Sequence, residues 1–294
     1  MKQLQRLLVH LARIGIDPRD QAWFRTILRS HDRPPVFLNG MQLPGFPPEE
    51  LQRNTTGGAG RETIEEAFAF YRDCLALFNR SGVPLDDESL LLDFGMGWGR
   101  IARLFLRELP LGRIHGIDVT EEFVRICREA FCSENFVVSD PLPPTAFDTG
   151  TFSHIVGYSV FSHLSEEACL RWMAEFHRIL SPGGVVVLTT RSRDFLAHCE
   201  SLRGAVEEFE GALGALFDDF DDARRRYDDG EFVHSNRHEV SGGGAMTSAF
   251  YGESFIPPAY AARAYSRWFD LVAFLDSGRG RSQPVLYFRR KEVG

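Results

Sequence analysis

Three glycines at alternate positions, Gly95, Gly97 and Gly99, follow a continuously apolar run, Leu90-Leu91-Leu92-Asp93-Phe94. Such a turn lets the backbone approach a ligand closely, because no side chain stands in the way. A helix starting near Gly99 aims its first N–H groups at the same place, which suits a carboxylate or a phosphate. The spacing G-x-G-x-G differs from the dinucleotide fingerprint, whose third glycine stands one position later. A tight strand-to-helix turn with no ligand is the competing reading. Asp118 ends a second apolar run, 21 residues after Gly97. A carboxylate there accepts from both hydroxyls of a ribose, or caps the helix that starts at Glu121. Val119 beside it suits an adenine face. Asp140 ends a third run in Val138-Ser139-Asp140-Pro141-Leu142-Pro143, where it could take an exocyclic amine with Leu142 against the ring, or serve as a turn residue before proline.

The elements that must position these groups alternate. Short buried strands are expected at 90–94, 114–118, 135–139, 152–158 and 185–190, with helices at 99–108, 121–131 and 165–180 between them. This rhythm predicts a parallel sheet with helices on both faces. Ser181-Pro182-Gly183-Gly184 reads as the turn into the fifth strand. Thr63 to Arg80 reads as a helix with a capping box at Thr63 and Glu66. Trp268–Leu275 and Val285–Arg289 pair as a closing hairpin. Residues 1–60 form an accessory segment of an amphipathic helix, proline-rich turns and Thr55-Thr56-Gly57-Gly58, a ligand-contacting loop or a linker. About 75 residues separate Thr190 from the hairpin, too many for a plain crossover. Residues 191–265 are therefore expected to form a helical cap, with an acidic helix placing Val206, Phe209, Leu213, Leu216, Phe217 and Phe220 on one side and a hinge at Gly242-Gly243-Gly244.

Bulk properties narrow the function. The chain has 294 residues, 44% of them hydrophobic, enough for a sizeable core. The formal charge of −8 repels phosphate backbones, so a nucleic-acid partner is not expected. Arg224-Arg225-Arg226 follows an acidic stretch and reads as a solvated helix face with internal ion pairs. The five cysteines contain no Cys-x-x-Cys, which argues against a disulfide framework or a cysteine zinc site and fits the cytoplasm. The N-terminus lacks a signal-peptide pattern, and no apolar stretch has the length of a membrane span. His234 and His238, near Glu231 and Glu239, have a metal-like spacing, but Gly230 and Gly242 bracket them as a loop, and no metal is expected.

Leu92-Asp93-Phe94-Gly95-Met96-Gly97-Trp98-Gly99-Arg100 resembles the first motif of class I S-adenosylmethionine-dependent methyltransferases. Asp118 resembles their ribose-binding acid, and Ser139-Asp140 their adenine-binding motif. Val160-Phe161-Ser162-His163-Leu164 and Leu180-Ser181-Pro182-Gly183-Gly184 are similar to the segments around the fourth and fifth strands of the small-molecule branch. The resemblance covers residues 60–195 and the terminal hairpin. It implies a Rossmann-like α/β sheet of seven strands with one antiparallel strand, S-adenosyl-L-methionine as cofactor, and Asp93, Gly95, Gly97, Gly99, Asp118, Val119, Asp140, Leu142 and Tyr158 around it.

Methyl transfer asks a protein mainly to align two reactants and exclude water. His163, just past the fourth strand, is the candidate base for an oxygen or nitrogen nucleophile, and a loop-shaping histidine is the alternative. Tyr251, Glu253 and His234 in the cap are candidates for orienting a small-molecule acceptor. A nicotinamide-dependent oxidoreductase and a non-catalytic S-adenosylmethionine-binding protein are the competing functions. The glycine spacing, Asp140 and the Ser181–Gly184 turn favour methyl transfer over the first.

Overall fold

A computed structural model of the chain describes residues 18–237, 244–278 and 282–292. Its main sheet begins with strand β1, Leu91–Phe94, buried at all four positions. Four further strands run parallel to it: β2 (Ile114–Asp118), β3 (Phe136–Val138), β4 (Phe152–Gly157) and β5 (Leu180–Thr189). A small pair in the cap, β6 (Val233–Ser235) and β7 (Glu253–Phe255), is antiparallel and separate from this sheet. The last hairpin, β8 (Phe269–Leu275) and β9 (Val285–Arg290), returns to the main sheet, where β9 pairs antiparallel with β5. The seven strands lie in the order β8-β9-β5-β4-β1-β2-β3. The chain winds outward from β1 to one side, then returns to build the other. Such a reversal opens a crevice between β1 and β4 at the carboxyl ends of the strands.

Strand side chains alternate between two cores. Leu91, Val156, Val185, Val187 and Tyr287 enter one, with Phe70, Tyr71 and Phe78 of the long helix Arg61–Arg80. Leu92, Ile155, Val186, Leu188 and Phe288 enter the other, beneath Trp172, Met173 and Phe176 of the helix Glu166–Ile179. Burial on both faces explains why these strands read as continuous apolar runs in the sequence. Ser165 caps its helix as expected, accepting from the Ala168 N–H.

Several local expectations are corrected. The residue before the helix Arg61–Arg80 is Gly60, so Thr63 is no cap; its hydroxyl lies in the first turn and accepts from Arg100 Nη1 at 2.9 Å. The segment after the glycine turn is a 3-10 helix, Ala102–Arg107. Ser181–Gly184 falls within β5, where pairing to β4 jumps from Phe152↔Leu180 to His154↔Val185, so the turn is an irregularity in the strand. Among the described residues the cap holds four short helices in place of one acidic helix: Arg193–Ser201, Glu208–Gly214 and Phe220–Asp228, closed over a core of Leu196, Leu213, Leu216, Phe220, Val233 and Phe255, and Pro258–Ala264. Val206, before the helix Glu208–Gly214, is fully exposed, and Phe209 within that helix is 57% exposed and lies outside that core. Arg224, Arg225 and Arg226 each pair with an acid, among them Glu200, Asp222 and Glu231. The expected N-terminal helix before residue 18, together with His238, Glu239, Gly242 and Gly243, lies outside the described residues.

The segment before residue 60 is fastened to the glycine turn by Arg103. Its buried guanidinium donates to the carbonyls of Gly99, Trp98, Pro44 and Gly45 at 3.0–3.2 Å and lies 4.0 Å over the ring of Phe46. Trp23 Nε1 donates to Leu104 O at 2.9 Å beside it. Burial pushes the Arg103 pKa down to about 9, which leaves it charged at neutral pH. Arg103→Met strands four carbonyls and is expected to cost about 3–5 kcal/mol in urea unfolding. A loss below about 1 kcal/mol, the range of an ordinary surface change, would show that the clamp is not needed.

Candidate active site

A cavity of about 860 Å³ opens over the carboxyl ends of β1, β2 and β4. Gly95, Gly97, Asp118, Val119, Tyr158 and His163 line it, with Ser139 and Pro141 beyond β3. The three glycines of the turn all have positive φ, but they do different work. A Cβ on Gly95 would stand 2.4 Å from Val160, and one on Gly99 would stand 2.6 Å from Phe131, so both are required by packing. A Cβ on Gly97 meets no atom within 4 Å. Gly97 is therefore where the turn faces open space that a ligand could fill.

Asp118 stands beside it, nearly buried. Oδ2 accepts from the Gly97 N–H and Oδ1 from the Thr120 N–H, both at 2.9 Å. Burial raises its pKa above the ordinary carboxylate value, against the pull of these backbone bonds. Each oxygen keeps a second lone pair for a hydroxyl. Asp93 lies below the cavity floor, outside its lining: Oδ2 accepts from the Ala102 N–H, and burial raises the pKa to about 7. Gly99 also lies outside the lining. So do Asp140, which is exposed, and Leu142, which packs on the second core. Ser139 and Pro141 reach the cavity, and the alternation of side chains past a strand end turns Asp140 the other way.

At the far end stands His163. Nδ1 lies 2.9 Å from the Gly252 carbonyl and 3.2 Å from Glu253 Oε1. Both partners accept, so Nδ1 carries a proton. The ring stacks on Tyr251 at 5.1 Å with an interplanar angle of 8°. Glu253, with no exposed surface, spends its second oxygen on Arg191 Nε at 2.5 Å. Burial alone would raise its pKa, but His163 and Arg191 hold it far below the ordinary value. Of the cap residues singled out in the sequence, Tyr251 lines the cavity; Glu253 sits behind it, and His234 sits farther back, with Nδ1 on Ser254 Oγ at 2.7 Å.

Other residues complete the lining. Arg100 bonds Thr63 and Glu66 and covers the Tyr158 ring at 4.8 Å. Glu66 also accepts from the Ser282 N–H. Ser159, left-handed at φ 61°, accepts from Gln283 Nε2 at 2.7 Å. A positive φ on a serine was a structural signal that the sequence alone does not show. Thr55 and Thr56 end the helix Glu49–Thr56 and are not a loop, but with Gly57 they form part of the wall, so this stretch does reach the cavity. Among the described residues no cluster of metal-ligating side chains occurs, and no helix is long and apolar enough to cross a membrane.

The buried Glu253 makes stability depend on pH. Its native pKa is depressed, so its contribution is present above the unfolded value near 4.5 and fades as pH falls toward the native one. The stability gap between wild type and Glu253→Gln, read from urea midpoints, should shrink as pH drops from 6 to about 3. A gap independent of pH would contradict this linkage.

The chain matches known proteins over the same region. The family described as "Methyltransferase domain" matches residues 91–184. A trans-aconitate 2-methyltransferase of Rhodopseudomonas palustris is 30% identical over 109 residues, which is 36% of this chain and 40% of that protein. An uncharacterized methyltransferase of Geobacillus sp. is 29% identical over 152 residues, 50% of this chain and 66% of that protein. The chain thus covers less than two thirds of the length of either relative. A crystal structure of a SAM-dependent methyltransferase from Aquifex aeolicus superposes with a TM-score of 0.48 at 12% identity, covering 84% of this chain and all (100%) of that one. The matched region spans β1 to the start of β5, and over it, including the glycine turn and Asp118, the chain is similar to the methyltransferase domain.

Proposed function

We propose that this protein transfers a methyl group from S-adenosylmethionine to a small or medium-sized acceptor at oxygen or nitrogen. The observation that supports this best is the shared cavity. Gly97 and Asp118 line one part of it, and the imidazole of His163, held by Nδ1, lines another. When bound, the cofactor supplies an electrophilic methyl group on a sulfonium. Asp118 would accept from the ribose hydroxyls, Val119 would pack on the adenine, and Gly97 would let the chain pass close by. Arg100, three residues on, is placed to hold the amino-acid carboxylate. Tyr158 would form the wall between the two ligands.

His163 Nε2 would take the proton of the acceptor O–H or N–H as the new bond to carbon forms. Glu253 would hold the ring by Nδ1 and offset the charge it gains. The N-terminal segment and the cap at about 191–265 would close the cavity and exclude water, with Tyr251 orienting the acceptor. The charge of −8 supports a small molecule over a nucleic acid.

Two measurements test this reading. Calorimetry should show S-adenosylhomocysteine binding to wild type, about ten- to hundredfold weaker binding to Asp118→Ala, and none to Gly97→Val, whose side chain enters the open space. Unchanged affinity in both variants would move the cofactor elsewhere. His163→Gln should keep S-adenosylhomocysteine affinity while turnover falls about 10²-fold or more. Full turnover in that variant would remove the base from the mechanism.

A further inference from the structure

The cavity has two ends with different charge arrangements. Near the glycine turn, Arg100 is matched by Glu66, and Asp118 is held by backbone N–H groups. Arg53 lies at the rim, paired with Glu49. Past β5, Arg191 is held differently. Its N–H bonds the Ser254 carbonyl, and its side chain lies 4.4 Å over the ring of Phe195. Glu253 Oε2 takes Nε, and Oε1 turns to His163. The bonds recorded for this guanidinium among the described residues leave Nη1 and Nη2 to the cavity that Arg191 lines.

We propose that Arg191 is an anchor for an anionic group on the methyl acceptor, so that the acceptor is an organic acid whose nucleophile lies apart from its carboxylate. A guanidinium presents parallel N–H donors that match a carboxylate, and at a partly buried site such bonds are strong and directional. Phe195 holds the guanidinium flat, so little freedom is lost on binding. Aromatic and aliphatic groups surround this end, including Phe195, Phe250, Tyr251 and Leu213, and would take the apolar body of the acid. His163 adjoins Arg191 through their shared carboxylate, so an acid anchored there lies beside the base. A carboxylate needs no base to be methylated, so the basic imidazole points to a separate hydroxyl or amine as the reacting group.

This rests on the methyl-transfer reading of the same cavity, and the test separates the two. S-Adenosylhomocysteine is bound first, and its affinity alone tests that reading. The complex is then titrated with 3-phenylpropanoate and with its uncharged amide. The acid should bind at least about tenfold more tightly than the amide. Glu253→Gln, which keeps the guanidinium, should preserve or increase that preference. Arg191→Gln/Glu253→Gln, which removes both buried charges together, should bring acid and amide within about twofold. S-Adenosylhomocysteine affinity should be unchanged in both variants. Failure of the acid to bind, equal binding of acid and amide by wild type, or an unchanged preference in the double variant overturns the proposal. So does a loss of S-adenosylhomocysteine affinity confined to the double variant, which would assign Arg191 to the cofactor.

Discussion

One buried guanidinium holds the two sides of the cavity in register. Arg103 projects from the 3-10 helix behind the glycine turn and donates only to backbone carbonyls, two from the turn and two from the proline-rich segment before residue 60. No carboxylate is needed there, because four carbonyl dipoles share the charge. The turn cannot shift without pulling that segment with it. Gln52 continues the tie, accepting from Gly60 N–H and donating to Pro47 O. Thr55–Gly57 thereby take a fixed position on the wall.

Glu253 plays the corresponding part at the acceptor end. It sits on a three-residue strand of the cap, yet it bonds His163 after β4 and Arg191 after β5. The cap is thus joined to the sheet by a buried charge cluster as well as by Phe232, Ile256 and Tyr260, which pack into the second core. Such clusters stabilise little in net terms, but they impose geometry, because any other arrangement leaves a charge unpaired. The orientation of the imidazole follows from that demand.

How much of this was legible in the sequence depended on distance along the chain. The strands were legible because burial on both faces writes a continuous apolar run, and Ile114–Asp118 and the helix Glu121–Phe131 fall where the pattern put them. Gly97 and Asp118 were legible because a strand end fixes their relation. The capping box at Thr63 misled because the hydroxyl answers to Arg100, 37 residues away. The cap misled for the same reason. Periodicity joined Val206 and Phe209 to one helix, whereas the fold is decided by β6 finding β7 across a long loop. Arg191, Ser282 and Gln283 reach the cavity from two segments far along the chain from the glycine turn, and nothing local marks them.

The order of the sheet has a consequence for how the chain is made. β9 is among the last segments described, yet it lies inside the sheet against β5 and carries β8 on its outer side. A nascent chain emerging in sequence order completes β1–β5 while β9 is still unmade. Until then β5 presents an open edge ten residues long, apolar over Val185–Leu188. Such an edge invites pairing with another chain. The cap is synthesised during this interval and buries Leu196, Leu213, Leu216, Phe220 and Phe255 in a separate core. It therefore sequesters its apolar side chains without waiting for the strand that finally closes the sheet.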